Sequence, residues 1–445
     1  METLYSIRCF GRFAFFLAAV LFAGCGRPDG ASGGGRAPEQ GEAVDGHIEI
    51  LVVGDPFAGV LERHQAALSA WLGDPLRLNV RRYARTHDEI LSNAGDASSF
   101  FHLVSFDVLW LPQLVRDGIL SPLSPADLAK MGRSKEEFFP ITWEVNREGG
   151  QVYGLPIQPH MELLWYRRDL LDEAGFTPPR NLDELLVQAR YFHNRETRLS
   201  GVGWNALRGQ ALGQTVAHTY AAMGEPFIDE DGEVRIDTPT GLAVIEFLRE
   251  LREVSPADIM SMAWDQRVER FRRGQLAFTY GWAARAFMVE RDPLSRVAGQ
   301  VGYLPAPARG NSQRGVTPFG QWSLGIPANL PEAERERALR TLALFSSERV
   351  WEVFVADGLV ALQRRPPANR AVPPAHSAQA VSEAILEAGA IDPRARPTMA
   401  AWSEVAELLG VYFHDALLGR MSPQEALRSA QEGAEVFVLR EDSSK

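Results

Sequence analysis

The chain is 445 residues long, 45% hydrophobic and 23% charged, so it can bury large cores without disulfide or metal staples, and its length implies two domains or lobes. A formal net charge of −11, with no dense Lys/Arg run, argues against a nucleic-acid binder. Both cysteines, Cys9 and Cys25, fall in the first 25 residues, which excludes a thiol nucleophile or a cysteine metal site from the remainder.

The N-terminus reads as an address. Arg8 and Arg12 supply positive charge before an apolar run, Phe13 to Ala23, that is short for a bilayer-spanning helix of roughly 20 residues. It ends in Ala23-Gly24-Cys25, small residues directly before Cys, which resembles a bacterial lipobox although Phe22 stands where Leu is common and Glu2 adds an acid. The resemblance implies a leader over 1–24, cleavage before Cys25 and acylation of its sulfur. Residues 25–47 are Gly-rich, polar and without hydrophobic periodicity, and read as a flexible tether.

From Ile48 the pattern becomes globular. Ile48–Val53 is a nearly unbroken apolar, β-branched run stopped by Gly54-Asp55-Pro56, the mark of a buried parallel strand. A helix is expected over Pro56–Leu72, then strands at Leu76–Val80 and Phe106–Leu111. Asn181, with Glu184 three residues on, caps a helix running through Ala189. Thr238-Pro239 opens another, with Leu242, Ile245, Leu248 and Leu251 on one face. Glu332–Val355 is expected to be helical, and Ser422 caps a final helix. Strand–helix alternation predicts α/β lobes.

Several segments fall in an order that carries more than any one of them: Phe106-Asp107-Val108-Leu109-Trp110, Gln151–Ile157, Leu164–Phe176, Phe271–Phe278 with Gly281-Trp282, Phe319–Pro327 and Arg396–Trp402. Together they resemble the extracellular solute-binding proteins that serve ABC importers, the group that includes maltose-binding protein. The resemblance runs from about residue 48 to 440. It implies a two-lobe, type II periplasmic-binding fold, each lobe a mainly parallel sheet flanked by helices, with ligand in the cleft between them. On that basis 48–157 and 311–361 form one lobe and 160–304 and 367–440 the other. The implied role is capture of a carbohydrate, a disaccharide or oligosaccharide, by a monomer that needs no cofactor and is membrane-bound through its lipid alone. Permease and ATPase would be separate chains.

Sugars offer apolar C–H faces and rings of hydroxyls, so a site for them needs flat aromatics beside carboxylates, amides and arginines. Trp110, Trp282 and Trp402 match cleft aromatics of the resembled family, and Trp322 lies in a matched motif. Asp55 follows the first strand at the end where α/β ligands bind, with a helix cap as its other role. Glu162 matches a sugar-contacting acid, with His160 nearby. Gln321 could offer an amide and Arg364 a ligand or hinge cation. Trp204 and Tyr220 are more readily core residues. Three other readings stay open: a ligand sensor, a binder of a non-sugar solute such as a polyamine, and a glycoside hydrolase using Asp55 and Glu162, though no independent catalytic motif accompanies that pair.

Overall fold

The structure, a computed structural model, describes residues 46–442 apart from residues 133, 195, 230, 311–314 and 365–373. The expected leader, Cys25 and all but the last two residues of the tether lie outside the described residues. The strands are β1 Ile48–Val53, β2 Leu76–Arg81, β3 Leu103–Asp107, β4 Leu120–Ser121, β5 Arg147–Glu148, β6 Gln151–Val152, β7 Leu155–Arg167, β8 Ser200–Gly203, β9 Leu276–Trp282, β10 Val301–Pro305 and β11 Phe319–Pro327. One sheet runs β2-β1-β3-β11-β7-β9-β8, with β4 beside β11 and β10 beside β7. Pairing is parallel at β1–β2, β1–β3 and β8–β9. It is antiparallel where β11 and β7 join the two halves.

β7 is the bridge. Its first half pairs with β11, as far as Met161 opposite Phe319, and its second half pairs with β9 from Glu162 opposite Trp282. Each half of the sheet is covered on both faces. Ile48, Ile50 and Val52 enter one core with Ile157 and Leu324, while Leu51 and Val53, one residue out of phase, enter another with Phe106 and Trp322. In the second half Leu164 and Tyr166 pack with Val202 and Phe278, and Leu163 and Trp165 with Phe271 and Tyr303. Two-sided burial explains why these strands read as continuous apolar runs. The result is two α/β lobes, with apolar cores on both faces of each half of the sheet.

The expected helices at Pro56–Leu72 and after Asn181 and Thr238 are present, the last two with their caps: Asn181 Oδ1 accepts from Glu184 N at 2.8 Å and Thr238 Oγ1 from Gly241 N at 3.2 Å. Two expectations change. The strand expected over Phe106–Leu111 is β3 at Leu103–Asp107: it starts three residues earlier and stops at Asp107, because the Asp107 side chain accepts from Leu109 N and turns Val108–Trp110 into a 3-10 helix. The stretch 332–355 is two helices, Glu332–Ser346 and Glu348–Ala356, broken where Ser347 takes extended backbone.

In the second lobe the helices Gln210–Ala222 and Trp402–Leu417 meet at glycine. A Cβ on Gly213 would fall 1.8 Å from Ala406 O, and one on Gly410 equally close to Gly209 O, so neither position has room for a side chain. That contact brings Gln210, Gln214 and Glu407 together at one wall of the seam between the lobes.

Candidate functional site

A cavity of about 510 Å3 lies in that seam. One wall begins at the carboxyl ends of β1 and β3, where the chain leaves each parallel strand and its side chains are free to face a ligand. Asp55 and Asp107 stand there, at the N-cap of Pro56–Leu72 and at the last position of β3. The opposite wall is built by Trp264 and Asp265, which open the helix Trp264–Arg272, by Trp282 and Arg285 at the end of β9, and by Arg396.

Two ion pairs cross the seam. Arg396 follows the short turn Pro393–Ala395, which packs through Ala395 on Leu182, Ala221 and Ala222 of the second lobe. Its Nη2 donates to Asp107 Oδ2 at 2.7 Å and its Nη1 to Asp107 Oδ1 at 3.3 Å, with both side chains almost wholly buried. Tyr83 OH donates to the same carboxylate at 3.1 Å. Burial and the adjacent Asp107 charge hold that phenol far above its ordinary pKa, so it stays protonated and a donor. In the second pair Arg285 Nε lies 3.3 Å from Asp55 Oδ1, while Arg285 Nη1 also donates to Asp265. Asp55 Oδ2 accepts from the Trp322 indole at 2.9 Å.

Aromatic faces line the rest. Arg396 sits over the Trp282 ring at 5.2 Å. His160 meets Trp282 edge-on at 4.9 Å and lies 5.7 Å from Trp322. Burial pushes His160 down to about 4 despite the nearby Asp107 and Asp55, so the imidazole is neutral at neutral pH. Gly320 makes the crowding possible, since a Cβ there would lie 2.3 Å from His160 Nε2 and 2.5 Å from Arg396 Nη1. Arg396 Nε is buried with no hydrogen-bond partner among the described residues.

Of the residues singled out from sequence, Asp55, Trp282 and Trp322 line the cavity, as does His160. The others are placed elsewhere. Trp110 is 2% exposed and backs the wall, packed on Tyr83 at 4.8 Å and on Trp322 at 5.9 Å. Glu162 is buried under the helix Trp264–Arg272 and accepts from Arg267 Nη2 at 2.5 Å. Gln321 is out of phase with Gly320 and Trp322 on β11, so its amide points away and donates to Thr142 O and Ser323 Oγ. Trp402 is a core residue of the second lobe, 6.4 Å from the Phe227 ring; five residues on, its helix gives Glu407 to the cavity instead. Arg364 is exposed beside a different hollow, with Phe139, Gln363 and Glu383. Trp204 and Tyr220 are core, bonded to Ser255 Oγ and Ile236 O.

Tyr83, Asp107, Trp264, Arg285 and Arg396 were not singled out. Asp107 and Arg396 stand in two of the matched motifs, beside the tryptophans Trp110 and Trp402. Tyr83 and Trp264 open helices and Arg285 ends a 3-10 helix, with no local mark of their partners. Among the described residues no group of three or more His, Asp or Glu could hold a metal ion, and no helix is long and apolar enough to cross a membrane.

Comparison with known proteins agrees with this architecture. Residues 92–348 match the family of bacterial extracellular solute-binding proteins. The mannitol-binding protein of Pseudomonas aeruginosa is 26% identical over 346 residues, 71% of this chain and 75% of that one. An ABC transporter solute-binding protein of Agrobacterium radiobacter, solved with ribitol, superposes with a TM-score of 0.78 at 22% identity, covering 89% of this chain and all of its own. A maltose-bound protein of T. maritima superposes at 0.76, also 22% identical, over 88% of this chain and 99% of its own. Since the family match spans more than half of its length, the chain belongs to the bacterial extracellular solute-binding proteins.

Proposed function

We propose that this protein captures a neutral polyhydroxy solute, a sugar or polyol, between its lobes and delivers it to the separate permease and ATPase subunits of an ABC importer. The observation that carries the reading is the charge balance of the cavity. Four carboxylates (Asp55, Asp107, Asp265, Glu407) face four guanidinium groups (Arg82, Arg208, Arg285, Arg396), with indole rings between them. A hydroxyl both donates and accepts, so it can bridge an arginine and the carboxylate beside it, while the C–H face of the ligand rests on Trp282 or Trp322. A polycation such as a polyamine would meet as many cations as anions. The binding of mannitol, ribitol and maltose by similar proteins supports the same class.

In this reading the lobes are 48–157 with 311–361, and 160–304 with 367–440, and they close on ligand by rotation where β7 passes from one to the other. Cys25 carries a lipid that keeps the protein at the outer face of the membrane, and the lipobox-like run is what supports it.

A thermal-shift and calorimetric series with D-mannitol, ribitol, D-glucose, maltose and spermidine tests the assignment. Ligand at a hundredfold excess over Kd stabilises the native state by about 2.7 kcal/mol, so a polyol or sugar that binds raises the melting temperature. A shift with spermidine alone would transfer the site to cationic solutes.

A further inference from the structure

We infer that Trp264 sets the upper size limit of the ligand by closing one edge of the cleft against Tyr83. The inference rests on the polyhydroxy reading above and adds a residue that discriminates within that class.

Tyr83 belongs to the first lobe and is held rigidly. Its hydroxyl is tied to Asp107, and its ring packs on Trp110 at 4.8 Å and Trp322 at 5.8 Å. Trp264 belongs to the second lobe, on a helix anchored in the core by Val268 and Phe271. The two rings face each other across the seam with centroids 6.4 Å apart and planes inclined at 34°. A sugar ring sandwiched between two aromatic faces needs about 7–8 Å between them, twice an ordinary carbon–carbon contact of about 3.5–4.0 Å. Nothing of that thickness passes between Tyr83 and Trp264 while they hold this position.

The neighbouring contact closes the same edge. Arg285 reaches inward to Asp55, whose side chain is 12% exposed, and outward to Asp265, whose side chain is 84% exposed. Asp265 directly follows Trp264, so a strap of carboxylate, guanidinium and carboxylate runs from the cleft interior to its rim beside the aromatic contact. A ligand that fits within the cavity leaves both contacts intact. A longer glycan has to displace the Trp264 indole and break the Arg285 strap at once. Truncating Trp264 removes the bulkier obstacle while leaving the polar groups of the cavity in place.

The test is calorimetric titration of the wild-type protein, Trp264→Ala and Trp264→Phe with D-mannitol, ribitol, D-glucose and maltotriose. The wild type is expected to bind the tightest of the three small compounds at least about tenfold better than maltotriose, and Trp264→Ala to shrink that ratio by about tenfold or more. Trp264→Phe keeps a ring at the edge and should keep the wild-type ratio, which also separates loss of the gate from loss of the fold. Maltotriose binding as tightly as the small compounds in the wild type, or an unchanged ratio in Trp264→Ala, would overturn the inference and leave the polyhydroxy reading standing. Binding of none of the four by the wild type would overturn both.

Discussion

Two buried arginine–carboxylate pairs lie close together in this protein and differ in what they join. Glu162 and Arg267 are both second-lobe residues, on the far half of β7 and on the helix that covers it, and neither lines the cleft. Asp107 and Arg396 come from opposite lobes in the proposed division, and both line it. Chemistry and burial are nearly the same in the two. The first pair neutralises charge inside one rigid body, where it is needed whether the lobes are open or closed. In the proposed closing motion the second would exist only while the lobes are together, so its energy would enter the closing equilibrium and the affinity for ligand. A buried acid near a hinge is therefore a poor guide to a binding site until its partner is known.

Breaking the within-lobe pair should have the largest effect. Glu162→Ala leaves the Arg267 guanidinium buried without a counter-charge and is expected to lower unfolding stability by about 3–5 kcal/mol in denaturant titration. Replacing both members, with Glu162→Leu and Arg267→Met together, should recover most of that loss. A single variant as stable as the wild type would mean that the pair is not desolvated.

Acid should act on the cleft face next. His160 has its pKa depressed to about 4 by burial, against 6.5 when free. Above pH 6.5 folded and unfolded states both carry it neutral and its contribution to stability is full. As the pH falls from 6.5 toward 4 the unfolded state takes up the proton first, so stability is lost progressively across that window. His218, also depressed by burial, adds in the same sense. Unfolding midpoints measured from pH 7.5 to 4.5 should fall less steeply in His160→Gln than in the wild type; identical slopes would remove His160 from the account.

The cross-lobe pair should show itself in binding more than in folding. Arg396→Ala leaves Asp107 with Tyr83 as a donor, and the expected loss of affinity is about 2 kcal/mol, roughly thirtyfold in Kd, read by calorimetry with whichever polyol binds the wild type. A loss of stability as large as that of Glu162→Ala, with affinity unchanged, would erase the distinction between the pairs. Trp282→Ala should cost less, about 1 kcal/mol of affinity, the worth of one aromatic face. Arg364→Ala sharpens the contrast from the other side. It is exposed and away from the cavity, so stability should stay within about 0.5 kcal/mol and affinity should not change.

Much of the architecture was legible before any coordinate. The run Ile48–Val53 is β1 to the residue, because a strand buried on both faces has to be apolar at every position. The capped helices after Asn181 and Thr238 were legible because a cap is a contact between residues three apart. The end of β3 was misplaced for a related reason: Asp107 turns the chain with its own side chain, and an apolar pattern through Leu111 hides that. The cleft was legible only in part. Asp55 could be read from its place at a strand end, and Trp282 and Trp322 from their motifs. Trp402 and Gln321 carry the right chemistry but face the wrong way, by helix phase in one case and by strand phase in the other.

The sequence by itself determined the α/β character, through periodicity and caps, which are properties of neighbours along the chain; the two-lobe solute-binding fold followed from the resemblance of its ordered motifs to that family. Only the tertiary structure decided which charges meet. Asp107 and Arg396 are 289 residues apart, and Asp55 and Trp322 are 267. Nothing in the local pattern couples such positions: the charge-assisted hydrogen bonds that join them, Arg396 to Asp107 across the seam and Trp322 to Asp55 within one lobe, form only where the fold brings distant segments together away from water.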